Sequence, residues 1–302
     1  MPGPPTDVPE PDEAYVRTLL AAVPELGDVA GLPLTFVARG WDNSVWRVGE
    51  TLSARVPVRA QAVELVENEA AWAREVAGPF VAQGAGASLP VRLVSTGPHP
   101  YPWLLAEWVD GTLLEHLPVA ERGPVAAGLA AALHGVHRAA PADAPLNPFR
   151  GVDLCEAPLV AGDAIDRARV RWGPTADALL DVFLAARAAP AWPGPRVWCH
   201  GDLHPRNLVL RSPGGAGPAA RLGVLDFGDL TSGDPATDLG VLWLAFDEAQ
   251  RAEALEVLAP HYDDAVVTRA RGWAARFVLA VSGVHPEPFE ATLAHAAAQL
   301  LG

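Results

Sequence analysis

The sequence predicts an α+β chain in two parts: a small antiparallel sheet with one main helix, then a mostly helical part. Three observations carry that expectation. Apolar and polar residues alternate around glycine turns over residues 34–58, helical apolar spacing dominates beyond residue 112, and the turn-forming EWVDG at 107–111 separates the two. The boundaries that follow are a disordered lead-in over residues 1–12, a first lobe over 13–105, a hinge over 106–111 and a second lobe over 112–302.

The lead-in, MPGPPTDVPEPDEAY, is rich in proline and acidic residues and has neither the basic start nor the apolar run of a secretory signal. Residues 13–23 read as a short helix, and LTFVARGWDNSVWRVGETLSARVPV as hairpin-forming strands. Helical spacing in AQAVELVENEAAWAREVA predicts an amphipathic helix over 60–77, and VRLVSTG and YPWLLAEWV supply two more strands. In the second part, GPVAAGLAAALHGVHRA and residues 174–188, 236–258 and 264–284 read as helices. Between them NLVL and RLGVLDF are short apolar runs joined by the glycine- and proline-rich RSPGGAGPAA, a hairpin connection.

The net charge is −14 and every basic side chain is arginine, because the sequence contains no lysine. Such acidity excludes a nucleic-acid partner and is compatible with a polycationic small molecule. Although half the residues are apolar, no run approaches the roughly 18 residues a bilayer span requires, so no membrane partner and a cytoplasmic location are expected. Cys155 and Cys199 lie outside any C-x-x-C pattern and read as reduced structural residues. His134 and His137, on an apolar helix, read as structural histidines, and most of the ten tryptophans as core.

One constellation stands out: HGDLHPRN at 200–207, then DFG at 226–228, brought back alongside Asn207 by the predicted hairpin. Asn207 and Asp226 offer oxygen atoms, the ligands a hard cation such as magnesium prefers, and leave room for phosphates and water. Asp202, five residues before Asn207 on the same loop, is free to face an acceptor hydroxyl and take its proton. That division of roles suits phosphoryl transfer, where catalysis is mainly positioning and electrostatics.

With WCHGDLHPRNLVL and GVLDFGDLTSGDPATDLGVLW, and more loosely GWDNSVWRV, ARVPVR and ENEAAWAREVA, residues 36–284 resemble the aminoglycoside phosphotransferase family, a branch of the protein-kinase-like fold. The resemblance implies a kinase that moves the γ-phosphate of ATP or GTP to a hydroxyl of a small molecule. It implies Asp202 as catalytic base, Asn207 and Asp226 as magnesium ligands, His200 as a structural anchor, Asp238 as a buried support of the catalytic loop, and Asp234 as fixing that turn. For the nucleotide it implies the carbonyl of Glu107 and the amide of Val109 at adenine, and backbone amides near Asn43 and Ser44 at the phosphates. The family's lysine is replaced by Arg55, with Glu69 as ion-pair partner; Arg59 and Arg47 are the other arginines that would serve if the strand register differs.

For the acceptor, the resemblance singles out Asp229; His204, two positions after Asp202 on the same loop, is a second candidate substrate contact. Asp153, Glu156, Asp163, Asp263, Asp264 and Glu287 would add negative potential. The acidic residues favour an aminoglycoside-like acceptor. A macrolide, a choline- or homoserine-type metabolite, or a silent nucleotide-binding pseudokinase are the other readings; Arg55 and the single Gly40 motivate the last.

Overall fold

In the computed structural model, residues 6–23, 25, 27–212, 217–284 and 289–302 are described, and they form two compact units. The first comprises Met1–Glu75 and Ala87–Val109, the second Val76–Gly86 and Asp110–Gly302.

In the first unit, α1 (Glu13–Ala21) opens with Asp12 as N-cap, its carboxylate accepting the Tyr15 amide at 2.8 Å. Strands β1 (Leu34–Arg39), β2 (Asn43–Val48) and β3 (Leu52–Pro57) follow as an antiparallel meander; after helix α2 (Ala62–Ala82) and the two-residue β4 (Gly86–Ala87) come β5 (Pro90–Val94) and β6 (Trp103–Glu107), giving the order β1-β2-β3-β6-β5. Period-two geometry divides β6 between two cores. Trp103 and Leu105 join Trp46, Val56 and the α1 residues Val16, Leu19 and Leu20, whereas Leu104 and Ala106 meet Val66 of α2. The sheet is therefore covered on both faces, which is why β6 reads as a continuous apolar run, and α1 is a core element. Burying Leu19 and Leu20 contributes roughly 1.5–3 kcal/mol each relative to exposing them.

The lead-in departs from expectation where it is described. The Asp7 amide donates to the Val58 carbonyl at 2.8 Å and its carboxylate accepts the Ala60 amide at 2.8 Å, so residues 6–12 are fastened to the chain near the end of β3. Residues 1–5 lie outside the described residues. The end of α2 also differs from the expected boundary, since Val76–Gly86 belongs to the second unit. There a Cβ on Gly135 would meet the Pro79 ring at 3.0 Å, and the Gln83 carbonyl accepts the Ala219 amide.

The second unit is built around α9 (Asp264–Val284), packed against α4 (Gly162–Trp172), α5 (Pro174–Arg187) and α10 (Glu290–Leu301), with α3 (Gly123–Val136) against α8 (Glu248–Leu258). The helix expected over 236–258 is three: α6 (Ala236–Leu239), α7 (Val241–Ala245) and α8. Phe246 is extended and Asp247 starts α8 with a capping box to Gln250, so the apolar periodicity continues across a genuine break. Helices α4 and α10 went unpredicted. Among the described residues no helix is long and apolar enough to cross a membrane.

Five short strands frame the region of interest. β8 (Val197–Cys199) pairs antiparallel with β11 (Thr231–Gly233), and β9 (Leu208–Leu210), which also pairs with β7 (Thr112–Leu113), pairs antiparallel with β10 (Leu222–Val224). The loop 200–207 thus runs from β8 to β9 and the loop 225–230 from β10 to β11, and the two strand pairings bring the loops face to face. Residues 213–216 of the expected β9–β10 connection lie outside the described residues.

Candidate active site

Asp238, fully buried, holds the start of the 200–207 loop. Its Oδ2 accepts the His200 amide and its Oδ1 the Gly201 amide, both at 2.8 Å, while the His137 Nε2–H donates to Oδ2 at 3.1 Å. Burial alone would raise its pKa, but these donors, His137 foremost, bring it below the ordinary carboxylate value. Tyr262 completes the chain through its hydroxyl at 2.6 Å from His137 Nδ1. Gly201 is required here: its φ is +88°, and a Cβ would lie 2.1 Å from the Asp229 carbonyl oxygen. His200 ties the two loops together, its Nε2–H donating to the Leu225 carbonyl at 3.0 Å while Nδ1 faces the Asp202 amide at 3.3 Å. That pattern is a neutral imidazole, and burial lowers its pKa accordingly. Asp234 forms a two-pronged buried pair with Arg269, at 2.7 and 3.2 Å, and accepts the Ala236 amide at 3.0 Å, fixing the turn into α6.

The Asp202 carboxylate sits between two donors. Arg150 Nη2 approaches Oδ1 at 2.9 Å, and His204 Nε2 lies 3.3 Å from Oδ2. Desolvation pushes this carboxyl up, but Arg150 and then His204 outweigh it and hold it well below the usual carboxylate range. His204 is buried between the rings of Phe277 and Phe289, and its Nδ1 accepts the Arg206 amide at 3.2 Å, so Nε2 carries the proton presented to Asp202.

The end of the β9–β10 pairing joins Asn207 to the residue before Asp226: the Leu225 amide donates to the Asn207 carbonyl at 2.9 Å. The Asn207 Nδ2 donates to the Asp202 carbonyl at 2.9 Å, which turns the amide so that Oδ1 is the atom left for a cation. Asp226 has a φ of +58°, the one non-glycine residue of the described chain in the left-handed region, a conformation that costs energy and collects at functional positions. An amide oxygen and a carboxylate offered from adjoining loops are a donor set that fits magnesium. Asp229 accepts from Asn147 Nδ2 at 2.8 Å; desolvation, with the nearby charges of Asp202 and Asp226, raises its pKa to about 6.

In the first unit, Arg55 is 5% exposed and its guanidinium meets Glu69, fully buried on α2, at 2.5 Å. The strand register therefore singles out Arg55: Arg59 pairs with Asp42 instead, and Arg47 stacks on Trp108 at 4.7 Å. Ser44 lies elsewhere than expected. It is fully buried inside β2, opposite Arg39 and Val56, and its hydroxyl accepts the Trp46 indole N–H at 3.0 Å, so it belongs to the ladder and not to the turn at 40–42. The Glu107 carbonyl accepts the Ser88 hydroxyl at 3.0 Å, and Val109 closes the unit two residues later.

The sequence profile of the phosphotransferase enzyme family (APH) matches residues 33–276. The chain belongs to this family. As a phosphotransferase it shares its fold with solved structures that include the GDP and kanamycin complex of APH(2″)-IIIa, at 15% identity over 96% of this chain and 97% of that one, with a TM-score of 0.66. The macrolide 2′-phosphotransferase MphH of Brachybacterium faecium is similar over 93% and 97% at 21% identity (TM-score 0.53), and a type I macrolide 2′-phosphotransferase over 98% and 99% at 19% (TM-score 0.57). No curated protein matches the chain.

Beside Asp202 this phosphotransferase has a cavity of about 30 Å³ lined by Arg150, Leu244, Trp273, Arg276 and Phe277 among others, and Asp202 is its one acidic lining residue among those described. Three of the acidic residues expected at the acceptor mouth have partners of their own. Asp153 accepts the Trp192 amide, Asp163 pairs with Arg167, and Asp263 caps α9 through the Val266 amide. Glu156 is exposed, Asp264 occupies the first turn of α9, and Glu287 lies outside the described residues. Sequence reading missed Arg150 and Asn147, which sit in an irregular loop without a motif, and Arg276. The last had a signal: with Trp273 and Phe277 it shares one face of a helix, where a guanidinium among apolar positions calls for a reason.

Proposed function

We propose that this phosphotransferase is a small-molecule kinase that moves the γ-phosphoryl group of ATP or GTP to an acceptor hydroxyl, with Asp202 as the base. The observation that carries the reading is the position of Asp202, whose carboxylate stays ionised under Arg150 and His204 while its backbone carbonyl anchors Asn207. Asp202 would orient the hydroxyl and accept its proton as the acceptor oxygen–phosphorus bond forms and the bond to the departing nucleoside diphosphate breaks. So weakly basic a carboxylate fits a loose transition state, in which the hydroxyl proton leaves late and alignment matters more than base strength.

Asn207 Oδ1 and the Asp226 carboxylate would hold magnesium, which when bound neutralises the phosphate charge. Asp238 and His200 would keep the loops in register, and Asp234 the turn beyond. In the first unit, Arg55, kept in place by Glu69, would grip phosphate oxygens with its planar fork, and the Glu107 carbonyl and Val109 amide would meet the base. The amides of Trp41 and Asp42 suit the phosphates better than the buried Ser44 does, since the Gly40 amide is donated to the Asn43 carbonyl at 2.9 Å. Asp229 and His204 border the acceptor side. The solved relatives bind aminoglycosides or are macrolide 2′-phosphotransferases, which supports an acceptor among antibiotics and related metabolites.

The test is magnesium-dependent release of ADP or GDP over a panel of aminoglycosides, macrolides, amino alcohols and hydroxy acids. An acceptor-stimulated rate that falls by about 10² or more in Asp202→Ala is the expected result; a rate indifferent to that substitution overturns the assignment of the base.

A further inference from the structure

The charges around the cavity beside Asp202 do not cancel. Arg150 is matched by Asp202 at 2.9 Å, with Asp229 nearby. Arg276 has no such partner among the described residues. It is 8% exposed, its one hydrogen bond among the described residues runs from Nε to the Pro158 carbonyl at 3.2 Å, and no carboxylate pairs with it there. Burial, followed by the repulsion of Arg150 and Arg187, lowers its pKa to about 10, so it remains a cation at neutral pH.

Two further donors are buried and unmatched. The indole Nε1–H of Trp273, a residue 6% exposed whose ring lies 5.4 Å from the Arg276 guanidinium carbon, has no hydrogen-bond partner among the described residues, and neither has Nε of Arg150. Buried donors left unmade are costly, and native proteins keep few of them away from sites where something else completes them. A region with an unpaired guanidinium and two orphan N–H groups asks for an oxygen-rich anion. It repels an ammonium group.

We propose that the cavity lined by Arg276, Trp273 and Arg150 seats an anionic oxygen group of the acceptor, so that the molecule phosphorylated here carries a carboxylate close to its reacting hydroxyl. The inference rests on Asp202 being the base that faces that hydroxyl. Size is compatible with the chemistry: about 30 Å³ exceeds what a single water needs and admits a small group such as a carboxylate. The carboxylate takes no part in bond making. It positions the molecule through charge-assisted hydrogen bonds, and a polycation is disfavoured at this point of the surface although the chain as a whole is acidic.

The experiment uses the full chain without nucleotide or metal, with D-glycerate as the anionic probe and its neutral amide, glyceramide, as the control. Trp273 reports directly through its indole ¹⁵N–¹H NMR signal, assigned by its disappearance in Trp273→Phe. Glycerate is expected to shift that signal saturably and glyceramide to leave it in place. Arg276→Gln should weaken the glycerate response about tenfold or more, the loss of one charge-assisted hydrogen bond, and Arg276→Lys should restore part of it. A signal unmoved by glycerate, or moved equally by glyceramide, overturns the proposal, and the wild-type comparison stands even if Arg276→Gln fails to fold. Because this readout needs no turnover, it separates the two claims: glycerate binding with an Asp202→Ala enzyme as active as wild type would remove the base and keep the anion seat. Absent binding with a dead Asp202→Ala would do the reverse.

Discussion

Arg150 and Asp202, 52 positions apart in the chain, form an ion pair at 2.9 Å that keeps the Asp202 carboxylate charged where burial would otherwise favour its neutral form. The pair joins an irregular loop to the loop after β8, and it sets how basic Asp202 is.

Replacing Arg150 by Gln removes the largest opposing charge and leaves desolvation in place, so the Asp202 pKa should rise by about one unit or more. A ¹³C titration of the aspartate carboxyls, with Asp202 assigned from Asp202→Asn, measures it. An Asp202 midpoint unchanged in Arg150→Gln would show that the ion pair does not govern the base.

Asp229 titrates in the opposite sense. Its folded pKa is raised from 3.8 to about 6, so between these values the folded metal-free protein binds more protons than the unfolded chain, and this group makes stability fall as pH rises through that window. Its contribution has a slope of at most about 1.4 kcal/mol per pH unit. Subtracting the urea-unfolding profile of Asp229→Asn from that of the wild type isolates it, since Asp202 and Asp238, with lowered values, act in the other direction in both proteins. A difference that is flat between pH 4 and 6 would contradict the raised value.

The Arg55–Glu69 pair predicts asymmetric mutant effects. Arg55→Ala leaves a fully buried carboxylate without its guanidinium and should cost about 3–5 kcal/mol in denaturant unfolding. Arg55→Met with Glu69→Leu should recover most of that loss, because two apolar groups need no partner. Equal losses in single and double variants would mean the pair is incidental to stability.

Asp238→Asn replaces an acceptor of three donors with an amide that turns one N–H towards them, at a cost of about 1–3 kcal/mol. As a positioning change it should lower kcat for an acceptor found in the panel while leaving the KM for nucleotide nearly unchanged. A KM effect with kcat intact would place Asp238 outside the support of the loop.

Much of this was legible in the sequence because the residues concerned are close in sequence or held by short-range pattern. HGDLHPRN is one loop, Asp226 returns on a hairpin whose strands are readable as apolar runs, and Arg55 with Glu69 follows from the family resemblance, on a strand and a helix that pattern alone predicts. What stayed hidden depends on distance or on local breaks. Arg150 reaches Asp202 from a loop with no periodicity, and Ser44 counts as a strand residue only once its pairing with Arg39 and Val56 is known. The breaks at Gly240 and Phe246 lie inside a stretch that keeps helical apolar spacing, so pattern alone runs three helices into one. The lead-in reads as disordered from composition, and the bonds of Asp7 to Val58 and Ala60 oppose that reading for the part described.

The central claim is that Asn207 and Asp226 hold a divalent cation on a bound nucleotide next to Asp202. Manganese, with a non-hydrolysable ATP analogue, tests it most directly, because its binding is read by electron paramagnetic resonance without any acceptor. Nucleotide-dependent, saturable manganese binding that weakens about tenfold or more in both Asp226→Asn and Asn207→Ala is the predicted result. Binding of equal strength in wild type and both variants would contradict it.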